Sequence, residues 1–178
     1  MDIIFYTGLI GSLILVLGAG WPIQGDAKHP AKSVKNWLFA FGGLVMLLYS
    51  ILGWQNGGPI FFVFLEILVA IASIMMMIDM DDRIDTVVIS ISGMGFIIWS
   101  LYLFTGYNTM FFIIGLAALS MGYAFSNGTV RRDIALTFGS VVLAVFSYME
   151  MSWIFFWLNI FFGIFSGYWL VKNLRSQK

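Results

Sequence analysis

Seven runs of apolar residues, separated by short polar breaks, leave this chain few folds to choose from. They lie at about 3–20, 37–54, 60–79, 84–104, 110–126, 132–149 and 152–171. Each has roughly 17–22 residues, enough for a helix to cross a hydrocarbon core of about 30 Å. Strands of a β-barrel would alternate apolar and polar residues, and that alternation is absent. Lipid offers no hydrogen bonds to an exposed backbone, so helices are the remaining solution. The expected fold class is an all-α integral membrane protein with seven transmembrane helices.

Composition agrees. Of 178 residues, 61% are hydrophobic and 10% are charged, whereas soluble domains average about 45–50% and about 25%. One small soluble core could not hide that surplus. A formal net charge of zero gives no reason to expect nucleic acid as a partner, and the lipid bilayer is the expected surrounding. The chain has no cysteine and a single histidine, His29, in a polar stretch. Disulfides, thiolate catalysis and Cys or His metal clusters are excluded, and no cofactor is expected. No Gly-rich phosphate loop, nucleophile elbow or zinc signature occurs. Asp2 stands where a signal peptide would be basic, so the first run reads as a membrane helix and not a removable signal.

The basic residues orient the bundle. Lys28, Lys32 and Lys35 lie between the first two runs, and Arg83 lies between the third and fourth. Arg131 and Arg132 lie between the fifth and sixth, and Lys172, Arg175 and Lys178 follow the seventh. All of them fall on one side, which the positive-inside rule makes cytoplasmic. The N-terminus is then outside and the C-terminus inside, in the cell inner (plasma) membrane.

Seven helices also divide as three, one and three. FGGLVMLLYS (41–50) in the second run matches FGSVVLAVFS (138–147) in the sixth. FVFLEILVAIAS (62–73, counted from its second Phe) matches FFWLNIFFGIFS (155–166), and FYTGL (5–9) matches FIIGL (112–116). Three matches in the same order predict two parallel triple-helix repeats, at 1–80 and 109–178, joined by a linker loop and fourth helix at 81–108. This 3+1+3 plan resembles the SWEET sugar transporters and the PnuC-type vitamin transporters. The resemblance implies a transporter that rocks around a central cavity. Pro22, Pro30 and Pro59 all lie at or outside membrane edges, unlike the helix-interior prolines of SWEET-type chains.

The repeat sets Glu66 opposite Asn159. Glu66 lies roughly 10 Å along its helix from the outer end. An ionisable group there is costly and should face the bundle interior or a watery cavity. Asn donates and accepts, while a carboxylate only accepts until it is protonated. Such a pair suits a small polar metabolite: a vitamin-like nucleoside, a sugar or an organic cation. Glu66 could instead be protonated and bond a neighbouring helix as structural glue. Ser73 shares the Glu66 face and Ser166 the Asn159 face, one turn beyond Ala70 and Gly163. Trp157, just before Asn159, could stack on a planar ring or simply pack, and Tyr49 in the second run completes the candidate contact set.

Two readings of other classes stay open. One is a non-transporting interaction or accessory protein. The other is a Mg²⁺-dependent membrane prenyl-transfer enzyme, because Asp79, Asp81, Asp82 and Asp85 include a DDxxD pattern and carboxylates suit hard cations. That enzyme needs a second acidic motif, for which only Asp133 is nearby, and a solvated loop pairing with Arg83 explains the same residues. The expected function is therefore non-enzymatic transport of a small polar metabolite. Assembly as a homo-oligomer stays open.

Overall fold

The computed structural model describes residues 3–21, 32–78, 82–126 and 128–176. They form α1 (Ile3–Gly20), α2 (Val34–Gln55), α3 (Phe61–Ile78), α4 (Asp82–Tyr102), α5 (Tyr107–Ala124), α6 (Val130–Met149) and α7 (Trp153–Ser176). All seven are long and apolar enough to cross a membrane. The expected all-helical class holds, with shifted ends. Helix α7 continues to Ser176 instead of stopping near 171. Its added turn carries Lys172, whose Nζ lies 4.7 Å from the centroid of the Trp169 ring. Resting on an indole face lets the ammonium stay at a polar boundary while its stem covers apolar surface.

The helix ends follow from local chemistry. The Ser33 hydroxyl accepts from the Asn36 amide at 3.4 Å, and the Thr129 hydroxyl from the Arg132 amide at 3.4 Å. Each satisfies a first-turn N–H that has no partner within the helix. Helices α2 and α6 end in the same double-bonded cap. Gly58 N–H donates to Gly53 O at 2.9 Å and Gly57 N–H to Trp54 O at 3.0 Å. Ser152 N–H donates to Ser147 O at 2.9 Å and Met151 N–H to Tyr148 O at 3.0 Å. This pattern needs a left-handed residue, and Gly57 provides it with φ of 91°. Met151 takes the same place with φ of 53°, a conformation that costs a residue with a Cβ about 1–2 kcal/mol.

The chain divides into two compact units, Met1–Asp81 and Asp82–Lys178. In the first, α1 packs on α2 and α2 on α3; in the second, α4, α5, α6 and α7 pack in succession. Helix α4 thus goes with α5. Its Gly93 backs directly onto the Ser120 side chain, and its Thr86 hydroxyl donates to Ala124 O at 2.9 Å.

Two helix seams use the same close approach. On α1, a Cβ at Gly11 would stand 3.0 Å from Met46 Cγ, and one at Gly18 would stand 3.1 Å from Leu38 Cβ. From the α2 side, a Cβ at Gly42 would stand 3.0 Å from the Leu15 backbone nitrogen. On α5, Gly115 meets Leu143 and Gly122 meets Leu136, while Gly139 of α6 would come 3.0 Å from the Leu119 nitrogen. Small residues let the backbones touch, which favours helix association where no water is expelled. Both seams read Gly, Leu, Gly along the first helix, GSLILVLG at 11–18 and GLAALSMG at 115–122.

Helix α3 is more buried than the other six. Phe61, Phe62, Val63, Phe64, Leu65 and Glu66 are buried in unbroken succession. One narrow stripe is open: half-buried Ile67 and Ile71 and exposed Ile74 and Ile78 recur at helical spacing along a single face.

Candidate functional site

Glu66 sits in the sixth position of α3 and is 1% exposed. A Cβ at Gly43 of α2 would lie 3.6 Å from Val69, one turn along α3 from Glu66. Because α2 and α3 run antiparallel, that contact brings Glu66 level with the fully buried Met46. Its own helix surrounds it with Phe62, Val63, Val69 and Ala70, all buried. Its Oε2 is buried with no hydrogen-bond partner among the described residues.

Four buried serines are satisfied locally. The hydroxyls of Ser50, Ser73, Ser120 and Ser147 donate to the carbonyls of Leu47, Val69, Leu116 and Leu143 at 2.7–2.8 Å. Each spends its proton on its own helix and presents little polarity to a neighbour. Asn159 of α7, 6% exposed, does the same with one N–H, donating from Nδ2 to Phe155 O at 2.8 Å. Its second N–H and its carbonyl oxygen are outside that bond. An unpartnered carboxyl oxygen in dry surroundings costs roughly 1–3 kcal/mol. The Thr137 hydroxyl of α6 is likewise buried with no hydrogen-bond partner among the described residues, but it is neutral, and Glu66 is the ionisable group of the two.

The remaining candidates fall in different places. Ala70 and Ser73 line up with Glu66 along α3, and both are buried. Gly163 and Ser166 line up with Asn159 along α7. A Cβ at Gly163 would lie 3.7 Å from Ser140 Cβ, so this face of α7 is turned to α6 and its small residue serves helix contact. Ser166 and Tyr49 are half-buried. Trp157 is 54% exposed and joins a chain of rings through Phe156 at 5.2 Å and Phe161 at 6.3 Å. Two residues apart on a helix is about 200° of rotation, so the indole points away from the side of α7 that holds Asn159.

Three polar ties between helices went unread in the sequence. Asn173 Nδ2 donates to Asp133 Oδ2 at 2.7 Å, joining the last turns of α7 to the first turn of α6. Asn36 Nδ2 donates to Met76 O at 3.3 Å, joining the corresponding ends of α2 and α3. At the opposite end of the second unit, Asn108 Nδ2 donates to Glu150 Oε1 at 2.8 Å, joining α5 to α6. An isolated Asn or Asp one or two turns inside a helix end was the available signal. Asp133 is held by an amide here.

Of the DDxxD pattern Asp81 lies outside the described residues, as do Asp79 and His29, while Arg83 and Asp85 stand in the first turn of α4 and not in the expected loop. Among the described residues, no three His, Cys, Asp or Glu side chains come together as a metal site.

No protein family, curated protein or solved structure matches this chain.

Proposed function

We propose that the chain is a multi-pass membrane transporter or facilitator for a small polar metabolite, with Glu66 and Asn159 as its polar contacts. The observation that carries this reading is the sealed, unpartnered Glu66 Oε2. A glue role would end in a hydrogen bond across a seam, and this oxygen makes none. Acids at membrane depth otherwise mark solute or ion pathways. At 1% exposure the carboxyl is closed to water, so a solute reaches it only after the helices part. That is the behaviour alternating access requires.

The matched α1–α2 and α5–α6 seams, and the matched caps of α2 and α6, support two parallel triple-helix repeats with α4 as the connector. Glu66 and Asn159 then hold equivalent positions, as do the buried pairs Phe62 with Phe155 and Leu65 with Leu158. The placement of Arg83, Arg131, Arg132, Lys172 and Arg175 supports a cytoplasmic C-terminus, in the inner membrane. In plan this is the arrangement of the SWEET and PnuC-type transporters.

The test is counterflow in proteoliposomes. Vesicles holding the purified chain and preloaded with unlabelled solute should transiently accumulate the labelled form, across a panel of sugars, nucleosides and small organic cations. Protein-free vesicles should not. Absence of counterflow for every member of the panel contradicts the proposal.

A further inference from the structure

We propose that Glu66 is an exchange site: its carboxyl holds a proton while sealed, and releases it when a small organic cation takes over as the counter-charge. This deepens the transport reading above and rests on it. It narrows the solute class to cations moved against protons.

The charges around Glu66 carry the argument. Helices α1 and α3 hold no other charged side chain among the described residues. Helix α2, the element packed against α3 in this unit, has Lys35 and Tyr49 as its titratable groups. Lys35 lies in the first turn of α2, eleven residues below Met46, or roughly 16 Å along the axis. Tyr49 is half-buried and ordinarily neutral. Among the described residues of this unit, no cation therefore stands at the depth of Glu66. A charge sealed without a partner is the least tolerable state a side chain can adopt in a dry interior. Something from outside must neutralise the carboxylate. In the closed state that is a proton, since the sealed carboxyl has an oxygen with no hydrogen-bond partner among the described residues to share its charge.

Opening changes the choice. Once water reaches the carboxyl, the O–H bond can break, its proton going to water and its electron pair staying on the carboxylate oxygen. A monovalent organic cation then restores neutrality, and the helices can close on it. One positive charge leaves the site for each that enters. Neither the empty carboxylate nor a doubly occupied site is suited to closing, and that exclusion couples the two flows. A neutral solute would not displace the proton.

Infrared spectroscopy of the full chain in bilayers tests this directly. At neutral pH the wild type should show the carbonyl stretch of a protonated carboxylic acid, shifting in D₂O and missing from Glu66→Gln. Adding choline, ethanolamine or guanidinium should bleach that band for at least one cation, with about one proton per chain appearing in a weakly buffered medium. Glucose and nicotinamide should leave it unchanged. A Glu66 that is ionised before any cation is added overturns the proposal, and so does a band indifferent to all three cations. Counterflow separates the failures. If a neutral solute is carried while the Glu66 band stays fixed, transport stands and exchange falls. If nothing is carried, transport itself falls.

Discussion

Gly115 lies so close to α6 that a Cβ on it would stand 2.7 Å from Cγ of Leu143. Gly115→Ala should therefore push Leu143 off its rotamer or part the helices, destabilising the second unit by about 1–3 kcal/mol. The double variant Gly115→Ala with Leu143→Ala should recover part of that loss, because the clash goes with the side chain that makes it. Thermal unfolding in detergent reads both. A single variant as stable as wild type would mean the seam is looser than described.

The same seams show what the sequence did and did not disclose. The seven helices were legible because lipid demands long apolar runs, and the runs are interrupted only at turns. The buried serines that close FGGLVMLLYS and FGSVVLAVFS were legible as a match, though not their bonding to their own helices. The close approach of α1 to α2 at Gly11 and Gly18 was not read from the sequence, because apolar runs do not show which glycines face a neighbouring helix. Trp157 was expected near Asn159 from its nearness in sequence, and helical rotation turns it to the exposed side. The burial of Glu66 was foreseen from its cost in lipid. Its lack of a partner was not, because partners depend on which side chains neighbouring helices present.

Asp133 and Asn173 form the tie that closes one end of α6 and α7. Asp133→Ala removes the acceptor and leaves a half-buried amide, for an expected loss of about 1–3 kcal/mol. Asp133→Asn keeps an acceptor oxygen and should lose less than half as much. Equal losses for the two variants, by the same unfolding assay, would show that the hydrogen bond is not what holds this end together.

The natural absence of cysteine makes orientation directly readable. Thr105 and Ser126 are exposed and lie at opposite ends of α5. In intact cells, Thr105→Cys should react with a membrane-impermeant maleimide. Ser126→Cys should react only after permeabilisation, because its turn adjoins Arg131 and Arg132. The reverse pattern would invert the assigned topology.

The central claim is that Glu66 is kept for what it carries and not for what it stabilises. Glu66→Met tests it most directly, with stability and counterflow measured on the same preparation. An apolar side chain of similar length removes an unpartnered oxygen from a dry site, so unfolding should be unchanged or stabilised by up to about 2 kcal/mol. Counterflow should fall to the level of protein-free vesicles. A variant that loses stability and keeps its flux would contradict the account, and would make Glu66 a structural residue.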